Sequence, residues 1–114
     1  MSDETTLSPE RAQELVQNGG QLVDVRGEDE HEAGHIPGDR HIRFDHLKDA
    51  VGTLDTSKPL VVYCRSGDRS GPAADALRAS GFDAFNIDGG AIAWSAQGLP
   101  FEGEIIERSA LPPA

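Results

Sequence analysis

Among its 114 residues the chain has one cysteine, one tryptophan, one tyrosine and two lysines, and the scarcities narrow its function. A lone cysteine forms no intramolecular disulfide and cannot by itself anchor a thiolate zinc site. Cys64 is therefore either a small apolar filler of the core or a group that does chemistry. Lys48 and Lys58, with eight arginines, face 20 acidic residues, a formal net charge of −10. Binding a nucleic-acid backbone or an anionic membrane needs clustered cations, so neither is an expected partner. No apolar run approaches the roughly 18 residues of a membrane span. The acidic start Met1-Ser2-Asp3-Glu4 does not read as a signal peptide, and the expected location is the cytoplasm. The acidic excess also fits adaptation to concentrated salt, an expectation about stability rather than fold.

What is abundant is the punctuation of short elements, 13 glycines and 7 prolines. That composition suits frequent turns better than a long helical bundle. The length predicts one domain, residues 7–107, with 1–6 and 108–114 as loose termini. Ser8-Pro9-Glu10 reads as a helix start: a side-chain cap, a proline in the first helical position and an acid at the positive end of the dipole. Gly19-Gly20 ends that helix. Gln21-Leu22-Val23-Asp24-Val25 and Pro59-Leu60-Val61-Val62-Tyr63 are apolar runs without alternation, as expected of strands covered on both faces. A helix with Ala73, Ala74 and Leu77 on one side follows, starting near Arg69-Ser70 because Pro72 is tolerated only in a first turn. A strand over 82–87 and short helices over 45–51 and 90–96 continue the alternation. It predicts an α/β domain with a mostly parallel sheet.

Cys64 lies where a strand runs into a polar turn, Arg65-Ser66-Gly67-Asp68-Arg69-Ser70, and then a helix. Open α/β sheets place ligands at that strand end. Backbone N–H groups, the helix N-terminus, Arg65 and Arg69 converge there and should stabilise a thiolate and cradle an anion. A polar loop of this kind is not core, which favours chemistry over filling.

The segment 64–70 resembles the active-site loop of rhodanese domains. Leu22-Val23-Asp24-Val25-Arg26, Gly34-His35-Ile36-Pro37-Gly38 and Asp88-Gly89-Gly90 with Trp94 resemble that family's other motifs, in order, over residues 7–100. The resemblance implies a five-stranded, mostly parallel sheet flanked by helices on both faces. It also implies a sulfurtransferase in which Cys64 takes a sulfane sulfur from a small anionic donor such as thiosulfate and passes it to cyanide, a thiol or a thioredoxin-like acceptor. Backbone donors from Arg65 to Arg69 would hold the outer sulfur, Arg65 and Arg69 would attract the donor, and Asp68 would point outward. Asp24, Arg26 and His35 are read as supporting residues, the first two because buried charges need partners. No cofactor and no metal are expected.

Two other functions share these features. Cysteine phosphatases and arsenate reductases have five residues between cysteine and arginine, whereas four separate Cys64 from Arg69; the shorter ring and the family resemblance together favour sulfur. Some rhodanese-like domains are non-catalytic interaction modules, but those generally lack the cysteine. His31-Glu32-Ala33-Gly34-His35 also fits the H-E-x-x-H pattern of zinc peptidases. That chemistry needs a continuous helix and a third ligand. Gly34 and Pro37 interrupt any helix and no third ligand is evident, so a surface loop is expected.

Overall fold

In the computed structural model, which describes residues 5–107, Ser8 accepts a hydrogen bond from the Arg11 N–H at 3.2 Å and starts the first helix, with Pro9 in its first turn. The elements in chain order are β1 (Thr6–Leu7), α1 (Pro9–Gln17), β2 (Gln21–Asp24), α2 (Glu28–Ala33), β3 (Gly34–His35), β4 (Arg40–His41), α3 (Leu47–Ala50), β5 (Leu60–Tyr63), α4 (Ser70–Ala79), β6 (Ala84–Ile87), α5 (Gly90–Ala96) and β7 (Glu102–Gly103). Short 3-10 turns bracket α3, where one uninterrupted helix is expected from sequence. The expected loose ends at 1–4 and 108–114 lie outside the described residues. Thr6, expected in the loose N-terminus, instead opens the edge strand β1, and the Thr5 carbonyl accepts from Asn86 N–H at 2.8 Å. Backbone pairing to β6 overrides the polar character of that stretch.

The main sheet has five strands, all parallel, in the order β1-β6-β5-β2-β4. Central β5 is fully buried along its length, which accounts for a run without polar alternation. Val62 and Leu60 face α3 and α4, packing with Val23, Val25, Leu47, Ala73, Ala74 and Leu77. Val61 and Tyr63 face the other way, toward α1 and α5, packing with Ala12, Leu22, Ile87, Ala91 and Trp94. Each large side chain so covered contributes roughly 1.5–3 kcal/mol. The motif Asp88-Gly89-Gly90 acquires its reason here. Gly90 has φ +60°, and a Cβ on it would stand 2.5 Å from the Cys64 carbonyl oxygen. The close approach lets the α5 N–H groups of Ala91 and Ile92 cap the Cys64 and Arg65 carbonyls at 2.8 and 3.1 Å, fixing the root of the cysteine turn.

A two-stranded antiparallel ribbon, β3 with β7, has no counterpart in the expected fold; it pairs His35 with Glu102. Among the described residues no helix is long and apolar enough to cross a membrane. Every described acidic residue except Asp24, Glu30 and Asp39 is exposed. Their mutual repulsion acts over about 10 Å in 0.1 M salt and about 3 Å at 1 M. The thermal unfolding midpoint is therefore expected to rise from low salt to about 1 M KCl by more than molar sucrose raises it. A midpoint that is flat or falls with KCl contradicts salt adaptation.

Candidate active site

Cys64 sits at the carboxyl end of β5, fully buried. The turn after it closes a ring around the sulfur. The N–H groups of Gly67, Arg69 and Ser70 stand 3.0, 3.3 and 3.4 Å from Sγ, and the Ser70 hydroxyl stands 3.4 Å away. Gly67 reaches its place with φ +103°, a left-handed conformation that other residues seldom adopt. Ser70 is the first residue of α4, so the sulfur also lies at the positive end of a ten-residue helix. The Ser70 hydroxyl donates a short hydrogen bond to the Asn86 amide oxygen on β6. The donors expected to grip an outer sulfur thus aim at Sγ itself, a geometry that stabilises negative charge on the sulfur.

The arginines divide. Arg69 was expected to attract an anionic donor, but its guanidinium forms two hydrogen bonds, 2.7 and 2.8 Å, with the Glu30 carboxylate. Glu30 is 1% exposed, and a carboxylate so buried requires a cation; its hydrogen bonds raise the Arg69 pKa above its ordinary value. Arg69 therefore braces the loop against α2. Arg65 is half-buried, and its Nε has no hydrogen-bond partner among the described residues. Asp68 departs from the expected outward pose. Its side chain is 61% exposed, yet Oδ1 accepts from the Ser66 hydroxyl at 3.2 Å and lies 3.6 Å from Cys64 Sγ. A thiol is a weak donor and the carboxylate is the acceptor within reach. Once the thiol ionises, the same carboxylate repels it and has solvent to turn into.

Asp24 and Arg26, both fully buried, pair with each other: Nε to Oδ1 at 2.9 Å and a terminal nitrogen to Oδ2 at 2.8 Å. Burial alone would raise the Asp24 pKa, but the hydrogen bonds and charge of Arg26 outweigh it and hold the carboxyl below its usual range. Arg26 also donates to the Gly34 carbonyl at 2.6 Å and lies over the Tyr63 ring. The pair ties β2 to β3 and does not reach the sulfur. Tyr63, beside Cys64 in the chain, donates to Asp39 Oδ2 at 2.5 Å; burial first, and then the charges of Asp24 and Asp39, push its pKa upward, so it stays a donor.

The expected surface loop at 31–35 is instead the end of α2 followed by β3. Glu30 Oε1 accepts from the Gly27 N–H at 3.1 Å, and Glu28 and Asp29 occupy the first turn, which together start a helix that lacks an apolar face. His35 stacks on His31 with 4.3 Å between ring centroids, and His31 stacks on His41 at 4.4 Å. Sequence reasoning missed Glu30, Asp39 and Asn86, and set His31 aside with the peptidase pattern. Glu30 had a local signal, an acid three residues after a helix cap, but its partner is 39 positions away.

The geometry has counterparts among known proteins. A family model described as the rhodanese-like domain matches residues 8–97. A protein named thiosulfate sulfurtransferase GlpE from Ectopseudomonas mendocina is 39% identical over 97 residues, covering 84% of this chain and 89% of that protein. One of the same name from Pseudomonas aeruginosa is 38% identical over 89 residues, 77% of this chain and 81% of that protein. Among solved structures, a rhodanese-related protein from Thermoplasma volcanium superposes with TM-score 0.80 at 25% identity, covering 87% of this chain and 98% of the other.

Proposed function

The chain belongs to the rhodanese-like domain family and is a sulfurtransferase of the thiosulfate type; we propose that residues 7–107 form its single catalytic domain and that Cys64 carries the sulfur as a persulfide. The observation that carries this is the convergence of three backbone N–H groups, those of Gly67, Arg69 and Ser70, on Sγ. In the first half-reaction the thiolate attacks the outer sulfur of thiosulfate. The S–S bond of the donor breaks, sulfite leaves with that bond's electron pair, and a Cys64 persulfide anion remains. In the second, cyanide or a thiolate attacks the outer sulfur, takes it, and returns Cys64 as thiolate. Both steps conserve charge and need no external oxidant.

Arg65 is the residue we assign to drawing in the anionic donor, since Arg69 is committed to Glu30. Ser66, Gly67 and Ser70 shape the ring, and Asp68 must swing from the sulfur before an anion enters. Asp24, Arg26 and His35 act on the framework. A thiol acceptor, small or thioredoxin-like, suits the second half-reaction in the cytoplasm, where thiols stay reduced.

The ring is sized for one sulfur. Four residues separate Cys64 from Arg69, and the Arg69 guanidinium faces Glu30 rather than the ring, so it is not free to clamp phosphoryl oxygens. The test is a pair of assays. Thiosulfate-to-cyanide transfer is expected to proceed, while hydrolysis of an aryl phosphate stays at background. Cys64-dependent phosphate hydrolysis would transfer the enzyme to phosphorus chemistry, and the absence of either activity would favour an interaction module.

A further inference from the structure

The motif set aside as a peptidase signature gains its missing ligand in three dimensions. One nitrogen of His31, one of His35 and a carboxylate oxygen of Asp39 all lie within 4.8 Å of one another. We propose that His31, His35 and Asp39 bind a divalent transition-metal ion of the zinc, cobalt or nickel kind, at a site separate from the cysteine loop. The interruption at Gly34 that rules out a peptidase helix is what turns the chain toward the turn carrying Asp39.

Each ligand is already held from behind. His31 Nδ1 lies 2.8 Å from Asp24 Oδ2, and His35 Nδ1 lies 3.1 Å from the His31 carbonyl oxygen. Both partners only accept, so each Nδ1 carries the proton and each Nε2 keeps its lone pair; His31 Nδ1 also lies 3.8 Å from Asp39 Oδ2. Asp39 Oδ2 is held by the Tyr63 hydroxyl, leaving Oδ1 for an ion. A carboxylate or carbonyl behind each imidazole is the arrangement that orients histidine ligands. Glu102 stands outside this group but next to one of its members. Its Oε1 lies 3.6 Å from His35 Nε2, across the β3–β7 ribbon.

Ligand atoms about 2.0–2.1 Å from a tetrahedral ion stand about 3.3 Å apart, so the cluster closes by a modest contraction. Two imidazoles with a carboxylate oxygen suit zinc and its neighbours better than calcium or magnesium. The two imidazole planes are only 17° from parallel, which sends their lone pairs side by side. Ligation therefore turns one ring. His35, at the outer end of the stack and 31% exposed, has the room.

Equilibrium dialysis of the Cys64→Ser protein against Zn2+ tests this without the competing thiolate, in about 1 M KCl so that diffuse attraction to the acidic surface is screened. One ion per chain is expected to be retained. His35→Gln and Asp39→Asn should each weaken retention by more than the roughly 10–100-fold that follows loss of an outer partner, whereas His46→Gln, an exposed histidine outside the cluster, should not. Circular dichroism establishes that each variant is folded; if Asp39→Asn is not, His35→Gln at its half-exposed position decides. No retained ion, or equal retention by the parent and His35→Gln, overturns the proposal, as does loss of the ion in His46→Gln.

Discussion

Glu30→Ala is expected to cost about 3–5 kcal/mol of folding stability, the loss that follows when one partner of a buried ion pair is removed. Deleting Glu30 leaves the Arg69 guanidinium, 14% exposed, beside Asp68 Oδ1 at 3.9 Å as its other acid. It also removes the acceptor of the Gly27 N–H and so unpins the start of α2. Against a total stability of about 5–15 kcal/mol, that loss leaves a marginal protein. Arg69→Ala is expected to be as damaging, because it strands a carboxylate that is 1% exposed. From sequence alone Arg69→Ala reads as a loss of anion attraction with the fold intact; the structure replaces that expectation. Arg69→Lys should recover only part, since an ammonium cannot match both carboxylate oxygens as the guanidinium does. Replacing both partners with leucine should be milder than either single change, because no charge is then left buried and unpaired. Urea unfolding measures all four. Single variants within about 0.5 kcal/mol of the parent would show that the pair is a surface-like contact.

The difference between these readings marks what the chain discloses. Strands β2 and β5 are legible because full burial on both faces forbids polar alternation, and α1 and α4 because Ser8, Pro9 and Pro72 restrict where a helix begins. Cys64 is legible because a strand, a glycine-bearing polar turn and a helix follow one another directly in the chain. Everything that depends on distant pairing is hidden. Glu28, Asp29, Glu30 and Glu32 look alike as a solvated acidic run, and only packing of α2 against the cysteine loop selects Glu30 for burial. Asp39 looks like a turn residue until Tyr63 of β5 is brought to it. The β3–β7 ribbon is hidden for a similar reason: strands of two residues have no periodicity to detect.

Cys64→Ser is expected to reduce thiosulfate-to-cyanide transfer on the order of a thousandfold or more, since a hydroxyl in the same ring of N–H groups is a far poorer nucleophile toward sulfur. Stability should change little, because serine keeps the volume and the Gly67, Arg69 and Ser70 donors still find an acceptor. That separation of activity from folding distinguishes the nucleophile from the bracing residues, whose loss lowers both. The most direct measurement is the mass of the intact protein after incubation with thiosulfate and gentle removal of excess donor. The parent should gain the mass of one sulfur atom and lose it on addition of cyanide, and Cys64→Ser should gain nothing. A Cys64→Ser protein that acquires the same sulfur, or a parent that turns over without ever carrying it, would contradict the persulfide on Cys64.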